Sequence, residues 1–253
     1  MTRLVVVGGG IAGLAAAWEA VTGPRSFDEV VVLEAGPSVG GKLRTADIGL
    51  PDGSVLRIDE GADAFLARRP EAVQLCHEIG LDDELTSPVV GRAKVLVDGE
   101  LRALPTTTVL GVPTDLEDPD LRAVLDADGL EELRAAVHRT ADAPPAHGDV
   151  PIGPFLRDRL GDATVTRLVG PLVGGINAGD VERLSLVAVT PQLAAAAADG
   201  GEIGAALAAR SVADDRPVFR APAAGMARLP ERLAEVLGEY GVEVRTGSPA
   251  RAI

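Results

Sequence analysis

Leu4 to Val7 is an unbroken apolar run ending in three valines, the pattern of a strand buried on both faces in a parallel sheet. Gly8 to Gly13 reads as a turn, Ile11 to Ala20 as an alanine-rich helix closed by Gly23-Pro24, and Val30 to Leu33 as a second buried strand. Together they form a βαβ unit whose crossover should be right-handed. A glycine-bearing loop, Ser38 to Thr45, follows, and Val55 to Ile58 alternates like a strand. Pro70 opens a helix that runs to about Ile79, with Ala72, Leu75, Cys76 and Ile79 on one face. Lys94 to Val97 and Glu100 to Leu104 flank Asp98-Gly99, a strong two-residue hairpin signal.

The pattern changes from Pro105 to Pro151. Prolines and acids surround a helix at Leu130 to Thr140, a loop is marked by Pro144-Pro145, and helices follow at Pro154 to Leu160 and Ala163 to Leu168. From Pro217 the earlier style returns, with a strand at Val218-Phe219, a helix at Leu229 to Tyr240 and a strand at Val242 to Arg245. The expectation is an α/β fold: a Rossmann-like nucleotide-binding domain over 1–104, interrupted by a mostly helical domain over 105–215 and resumed over 216–253. No internal repeat is seen. The chain reaches Ile253 in what reads as the start of a strand, so a truncated sheet is expected there.

Composition narrows the function classes. The net charge is −14, from 24 basic and 38 acidic residues, so the surface repels nucleic-acid phosphates, and an anionic ligand needs a local basic spot. Aromatics are only 2%, too few for a base-stacking platform; no nucleic-acid partner is expected. One cysteine, Cys76, precludes a disulfide framework and fits a reducing compartment. The N-terminus carries no apolar signal segment, and the most apolar stretch, Leu193 to Ala198, is closed by Asp199, far short of the roughly 20 residues that span a bilayer. A cytoplasmic location is expected, with peripheral membrane contact left open. His77, His138 and His147 have no metal-ligand spacing, so no metal is expected, and no G-x-S-x-G elbow supplies a hydrolase nucleophile. Cys76, on an apolar helix face, reads as core packing.

The chemistry is concentrated in the first unit. Gly8, Gly10 and Gly13 form G-x-G-x-x-G between a strand and a helix. The first glycine permits the turn, the second lets backbone approach a pyrophosphate, and the third lets the helix pack on the strand. The helix start offers free N–H groups and partial positive charge to phosphates. Glu34 ends the second strand, where a carboxylate accepts ribose hydroxyls and repels a 2′-phosphate. The candidate cofactor-binding set here is Gly8, Gly9, Gly10, Ile11, Ala12, Gly13, Glu34 and Ala35. Gly36 to Lys42 also spells the start of a P-loop, but Leu43 stands where Ser or Thr must hold magnesium, and a P-loop belongs after the first strand.

Val39-Gly40-Gly41-Lys42-Leu43-Arg44-Thr45 resembles the x-G-G-[RK]-x-x-[ST] element of the amine-oxidase-like FAD superfamily. That resemblance implies FAD as cofactor, with Gly40, Gly41, Lys42 and Arg44 beside its ribityl-pyrophosphate. Asp59-Glu60-Gly61-Ala62-Asp63-Ala64-Phe65 resembles the E-x-G-x-D-x-F element of the porphyrinogen-oxidising branch, which implies that Gly61, Ala62, Asp63 and Ala64 run beside the flavin. Arg68 and Arg69 follow and are candidates for holding substrate carboxylates. The hairpin with Leu104-Pro105, Gly111-Val112-Pro113-Thr114, and the run Gly170 to Asp180 with Leu184-Ser185-Leu186 and Thr190-Pro191-Gln192 extend the similarity over nearly the whole chain.

On these residues the chain resembles the FAD-dependent coproporphyrinogen III and protoporphyrinogen IX oxidases of bacterial haem biosynthesis. The resemblance implies an FAD-binding domain interrupted by a mostly helical substrate domain. It implies a porphyrinogen substrate oxidised to a porphyrin, with O2 as acceptor and H2O2 as product. No catalytic acid or base is nominated, since the cofactor does the hard chemistry. Similarity to the soluble form favours coproporphyrinogen III. Asn177 stands where the family often has Tyr, and Ala250 where it commonly has a Val whose backbone meets the adenine. The chain is also roughly half the usual family length, so this stretch by itself is expected to be inactive. The alternatives are another amine-oxidase-fold flavoenzyme and a non-catalytic dinucleotide-binding fragment.

Overall fold

A computed structural model of the chain describes residues 2–89, 92–138, 143–144, 148–198, 200–210 and 217–252. Expectations placed on Thr140, Pro145, His147, Asp199 and Ile253 lie outside the described residues. The chain divides into two compact units, Met1–Val89 with Asp215–Ile253, and Val90–Asp214.

The first unit is built on a three-stranded parallel sheet. Strand β1 (Arg3–Val7) pairs with β2 (Glu29–Leu33) in the register Leu4 to Val30 and Val6 to Val32. The Glu243–Arg245 strand pairs with the other edge of β2, Val244 opposite Val32. Helix α1 (Ile11–Thr22) connects β1 to β2 and buries Leu14, Ala17 and Trp18. These side chains pack with Val30 and Val32 of β2 and with Leu229, Leu233, Val236 and Leu237 of the Arg228–Glu239 helix. Leu14 and Leu233 are fully buried, and removing each from water contributes about 1.5–3 kcal/mol. Trp18 adds a polar tie: its Nε1–H donates to Glu78 at 2.7 Å, and its ring meets Tyr240 edge-on, centroids 5.2 Å apart.

Strand β3 (Thr45–Gly49) pairs antiparallel with β4 (Val55–Asp59), Thr45 opposite Asp59. Only β4 shows the alternation of a strand. The sequence Thr-Ala-Asp-Ile-Gly of β3 has one large apolar residue, Ile48, and that residue is exposed. The turn at Pro51-Asp52-Gly53 supplies the pairing instead: Leu50 N–H donates to Ser54 O, and the Asp52 carboxylate accepts the Ser54 N–H. A second small sheet forms where Phe219–Pro222 pairs with Phe65–Leu66 and Leu85–Thr86. Helix α2 (Pro70–Glu78) starts on Pro70, as the missing proline N–H favours, and buries Cys76.

The second unit is mostly helical. Its helices include Ala127–Val137, Ile152–Leu160, Pro191–Ala197 and Ile203–Arg210, packed around Leu133, Ile152, Leu156, Leu168, Leu186 and Leu193. Asp126 caps the first of these through Gly129 N–H at 2.9 Å, and Ser185 caps the short Leu186–Val189 helix through Ala188 N–H.

Two expectations are corrected here. The sequence pattern puts the Lys94–Val97/Glu100–Ala103 hairpin with the first domain; it belongs to the second unit, because its inward pair Val95 and Val97 packs into that unit's core. Its turn has the expected left-handed residues, Asp98 (φ 50°) and Gly99 (φ 82°). The helix read as Ala163 to Leu168 continues as a π-helix over Val165–Gly174. Pro171 lies within it and has no N–H for an i→i−4 bond, so the wider turn costs less there than in an ordinary helix.

Candidate cofactor site

The site grows from the junction of β1 and α1. Gly8 N–H donates to Leu33 O at 2.8 Å, holding the loop against the end of β2. Gly10 caps α1 without any side-chain bond, and no acidic residue stands in the first helical turn. The N–H groups of that turn, at Ile11, Ala12 and Gly13, have no carbonyl four residues back within the helix to receive them, and they concentrate positive potential. Gly13 is fixed by close approach: a Cβ there would lie 2.0 Å from Gly8 O.

Glu34 closes the opposite side. One carboxylate oxygen accepts Gly9 N–H at 2.7 Å and the other accepts Gly36 N–H at 2.6 Å. The Gly36 amide, then the Gly9 amide and to a smaller degree that of Ala35, hold the carboxyl below its ordinary value of 4.5, against a weaker upward push from partial burial. An ionised carboxylate has about four lone-pair sites. With two engaged, two remain for hydroxyl donors. The acid is therefore oriented before any ligand arrives.

The Gly40–Arg44 loop lies against this junction. Gly40 N–H donates to Gly9 O at 2.9 Å, Gly10 and Gly40 form an isolated parallel bridge, and Leu43 N–H returns to Gly40 O. Gly41 sits directly over Gly10, and a Cβ on Gly41 would be 3.3 Å from the Gly10 Cα. The Lys42 and Arg44 side chains are exposed. Segment 60–64 is joined to the same loop: Glu60 N–H donates to Arg44 O at 2.8 Å, and Gly61 packs so near Lys42 that a Cβ would be 2.6 Å from its carbonyl oxygen. Ala62 and Asp63 are exposed and Ala64 is half-buried. Beyond the Glu243–Arg245 strand, Gly247 N–H donates to Gly36 O and Ser248 N–H to Glu34 O, which brings the chain leading to Ala250 alongside Glu34. Ala250 itself is exposed.

The structure thus brings Gly8, Gly9, Gly10, Ile11, Ala12, Gly13, Glu34, Ala35, Gly40, Gly41, Lys42, Arg44 and Gly61 into one neighbourhood. The two arginines differ from each other. Both are exposed, but Arg68 lines a cavity of about 600 Å³ with Ala67, Pro70, Val73, Gln74, His77 and Asp82, whereas Arg69 is the residue preceding α2. Asp82 in that lining pairs with His77 at 2.7 Å. Two further groups were not singled out from sequence: Thr45, last residue of the glycine loop element, and Asp59, first residue of the next one. Their side chains bond to each other at 2.6 Å. The hydroxyl ending the loop element was the available signal.

The glycine cradle, an uncapped helix start and an oriented acid fit an adenosine diphosphate group. Comparisons with known proteins agree on the cofactor class. The family model for flavin-containing amine oxidoreductases matches residues 11–253. A coproporphyrinogen III oxidase of Bacillus subtilis (strain 168) is 36% identical over 193 residues, 75% of this chain and 40% of that protein. One from Propionibacterium freudenreichii is 39% identical over 192 residues, 76% of this chain and 34% of that protein. The crystal structure of a candidate protoporphyrinogen oxidase from Exiguobacterium sp. 255-15 superposes with a TM-score of 0.79 at 33% identity, covering 98% of this chain and 53% of that one. The chain therefore spans about two-fifths of the first of these curated relatives. Among the described residues no helix is long and apolar enough to cross a membrane, and no group of His, Cys, Asp and Glu could hold a metal ion. The α/β fold and the flavin cofactor expected from the motifs both stand, and the chain belongs to the flavin-containing amine oxidoreductase family.

Proposed function

We propose that this chain is the FAD-binding and partial substrate-binding portion of an oxygen-dependent coproporphyrinogen III oxidase acting in haem biosynthesis in the cytoplasm. The observation that carries the cofactor half of this reading is the Glu34 carboxylate, held between the Gly9 and Gly36 amides at the mouth of the G-x-G-x-x-G turn. The substrate half rests on similarity to coproporphyrinogen III oxidases at 36% and 39% identity.

Glu34 would accept the adenosine ribose hydroxyls, and the amides of Gly10 to Gly13 would face the pyrophosphate. Gly40 to Arg44 and Gly61 to Ala64 would line the path toward the isoalloxazine ring. When bound, FAD would supply hydride acceptance from the porphyrinogen and electron transfer to O2, giving H2O2. In this reading the helical unit, 90–214, contributes to the substrate side, and Arg68 and Arg69 are candidates for the substrate carboxylates. Protoporphyrinogen IX is the second substrate to consider, because the Exiguobacterium structure is described for that activity.

The test uses the gene product as the cell makes it, incubated with coproporphyrinogen III or protoporphyrinogen IX under air. Porphyrin fluorescence should rise above the autoxidation control, faster with coproporphyrinogen III. No rise with either substrate overturns the substrate reading, and a chain that binds no FAD overturns the cofactor reading.

A further inference from the structure

Thr45 and Asp59 face each other across the open end of the β3–β4 hairpin. Thr45 directly follows the Gly40–Arg44 loop, and Asp59 directly precedes segment 60–64. Thr45 Oγ1 donates to Asp59 Oδ1 at 2.6 Å and accepts the Ala227 N–H at 3.2 Å. Asp59 Oδ1 also accepts the Met226 N–H at 2.8 Å. The pair therefore satisfies two backbone donors at the start of the Arg228–Glu239 helix, where a carboxylate is also favoured by the helix dipole. Gly225, with φ +96°, allows this approach: a Cβ there would lie 2.5 Å from Thr45 Oγ1.

The same helix reaches the cofactor loop. A Cβ on Gly40 would be 3.5 Å from Pro230 Cγ, so the loop rests near the first helical turn. Gly40 in turn donates to Gly9 O, and Glu60 N–H to Arg44 O. A continuous chain of contacts leads from the Thr45–Asp59 pair to the turn that cradles the pyrophosphate.

We propose that Thr45 and Asp59 are positioning residues for flavin binding: they fasten the hairpin base to the residue 225–228 turn and so set the geometry of loop 40–44 and segment 60–64. Neither side chain needs to touch the cofactor. The proposal rests on the FAD reading above for its functional consequence, and on the hydrogen bonds alone for its structural one.

Both parts are tested on the full chain with Thr45→Val, Thr45→Ser and Asp59→Ala. Amide hydrogen exchange is followed without ligand, and FAD affinity is measured by titration of flavin fluorescence. Thr45→Val and Asp59→Ala should speed exchange at Met226 and Ala227, and also at Gly40, Leu43 and Glu60, by about tenfold, with a similar rise in the FAD dissociation constant. Thr45→Ser keeps the hydroxyl and should match the wild type in both. If Asp59→Ala does not fold, Thr45→Val alone decides. Exchange that rises at 226–227 while Gly40, Leu43 and Glu60 stay at wild-type rates would overturn the proposal, as would unchanged FAD affinity in a wild type that binds FAD. A wild type without FAD affinity refutes the cofactor reading instead, and the exchange pattern still settles the structural claim.

Discussion

Glu34 accepts the Gly9 amide proton at 2.7 Å, so the acid that ends β2 and the loop that ends β1 are locked together before any nucleotide is present. An oriented acceptor loses little entropy on binding, which is where its contribution to affinity lies. Substituting Glu34→Gln removes the charge but keeps the shape. The FAD dissociation constant should rise about ten- to a hundred-fold, the equivalent of one charge-assisted hydrogen bond. Glu34→Arg should abolish binding, as it replaces the acceptor with a donor. Flavin fluorescence titration of the three proteins checks this, and unchanged affinity in Glu34→Arg would place the ribose elsewhere.

The same contact makes the loop sensitive to acid. The folded-state value of Glu34 is depressed, so its stabilisation is present above the ordinary 4.5 and is lost as pH falls through the folded value. Between about pH 5 and pH 3 the wild type should lose more thermal stability than Glu34→Gln, which has no charge to neutralise at this position. Parallel melting curves across that window would show Glu34 to be uninvolved.

Gly13 offers a steric test. Any side chain at this position meets the Gly8 carbonyl at 2.0 Å, a backbone atom that cannot swing aside. Gly13→Ala should cost about 3 kcal/mol or more, since α1 must move off β1. Trp18, the sole tryptophan, sits in this helix against Glu78 and Tyr240, so its fluorescence reports the transition. A midpoint within experimental error of the wild type would mean that α1 and β1 are not packed as described.

Cys76 should be chemically silent. It is fully buried, and burial, with a smaller effect of the Asp82 charge, pushes its thiol up to about 11. At neutral pH the folded chain should resist aromatic disulfide reagents, and one thiol should titrate rapidly once denaturant is added. As pH rises from about 9 toward 11 the thiol of the unfolded chain ionises first, so stability should fall across that range. Fast labelling of the native chain would contradict the burial.

Much of the nucleotide unit was legible because its signals are local. The strand at β1, the glycine spacing and Glu34 at the end of β2 lie in one short stretch, although the unbroken valine run suggested a strand buried on both faces and the structure leaves Val5 and Val7 exposed. The β3 strand was not, since four of its five residues carry no apolar periodicity and its pairing comes from the turn at Asp52-Gly53. The hairpin at Lys94–Ala103 is legible in its alternation and Asp98-Gly99 turn, but the unit it packs into is not. Alternation says that Val95 and Val97 face inward and says nothing about which core receives them. Thr45 and Asp59 lay inside motifs that were read, yet their partners at 226 and 227 are 167 and 182 positions away, where no window on the sequence connects them.

β2 occupies the middle of the parallel sheet, flanked by β1 and by a strand that begins at Glu243. On the ribosome the first neighbour is available at once, whereas the second is still untranslated. At ordinary elongation rates that interval is on the order of tens of seconds. For that time a valine-rich strand presents an open hydrogen-bonding edge, the kind of surface on which one nascent chain can pair with another when synthesis stalls.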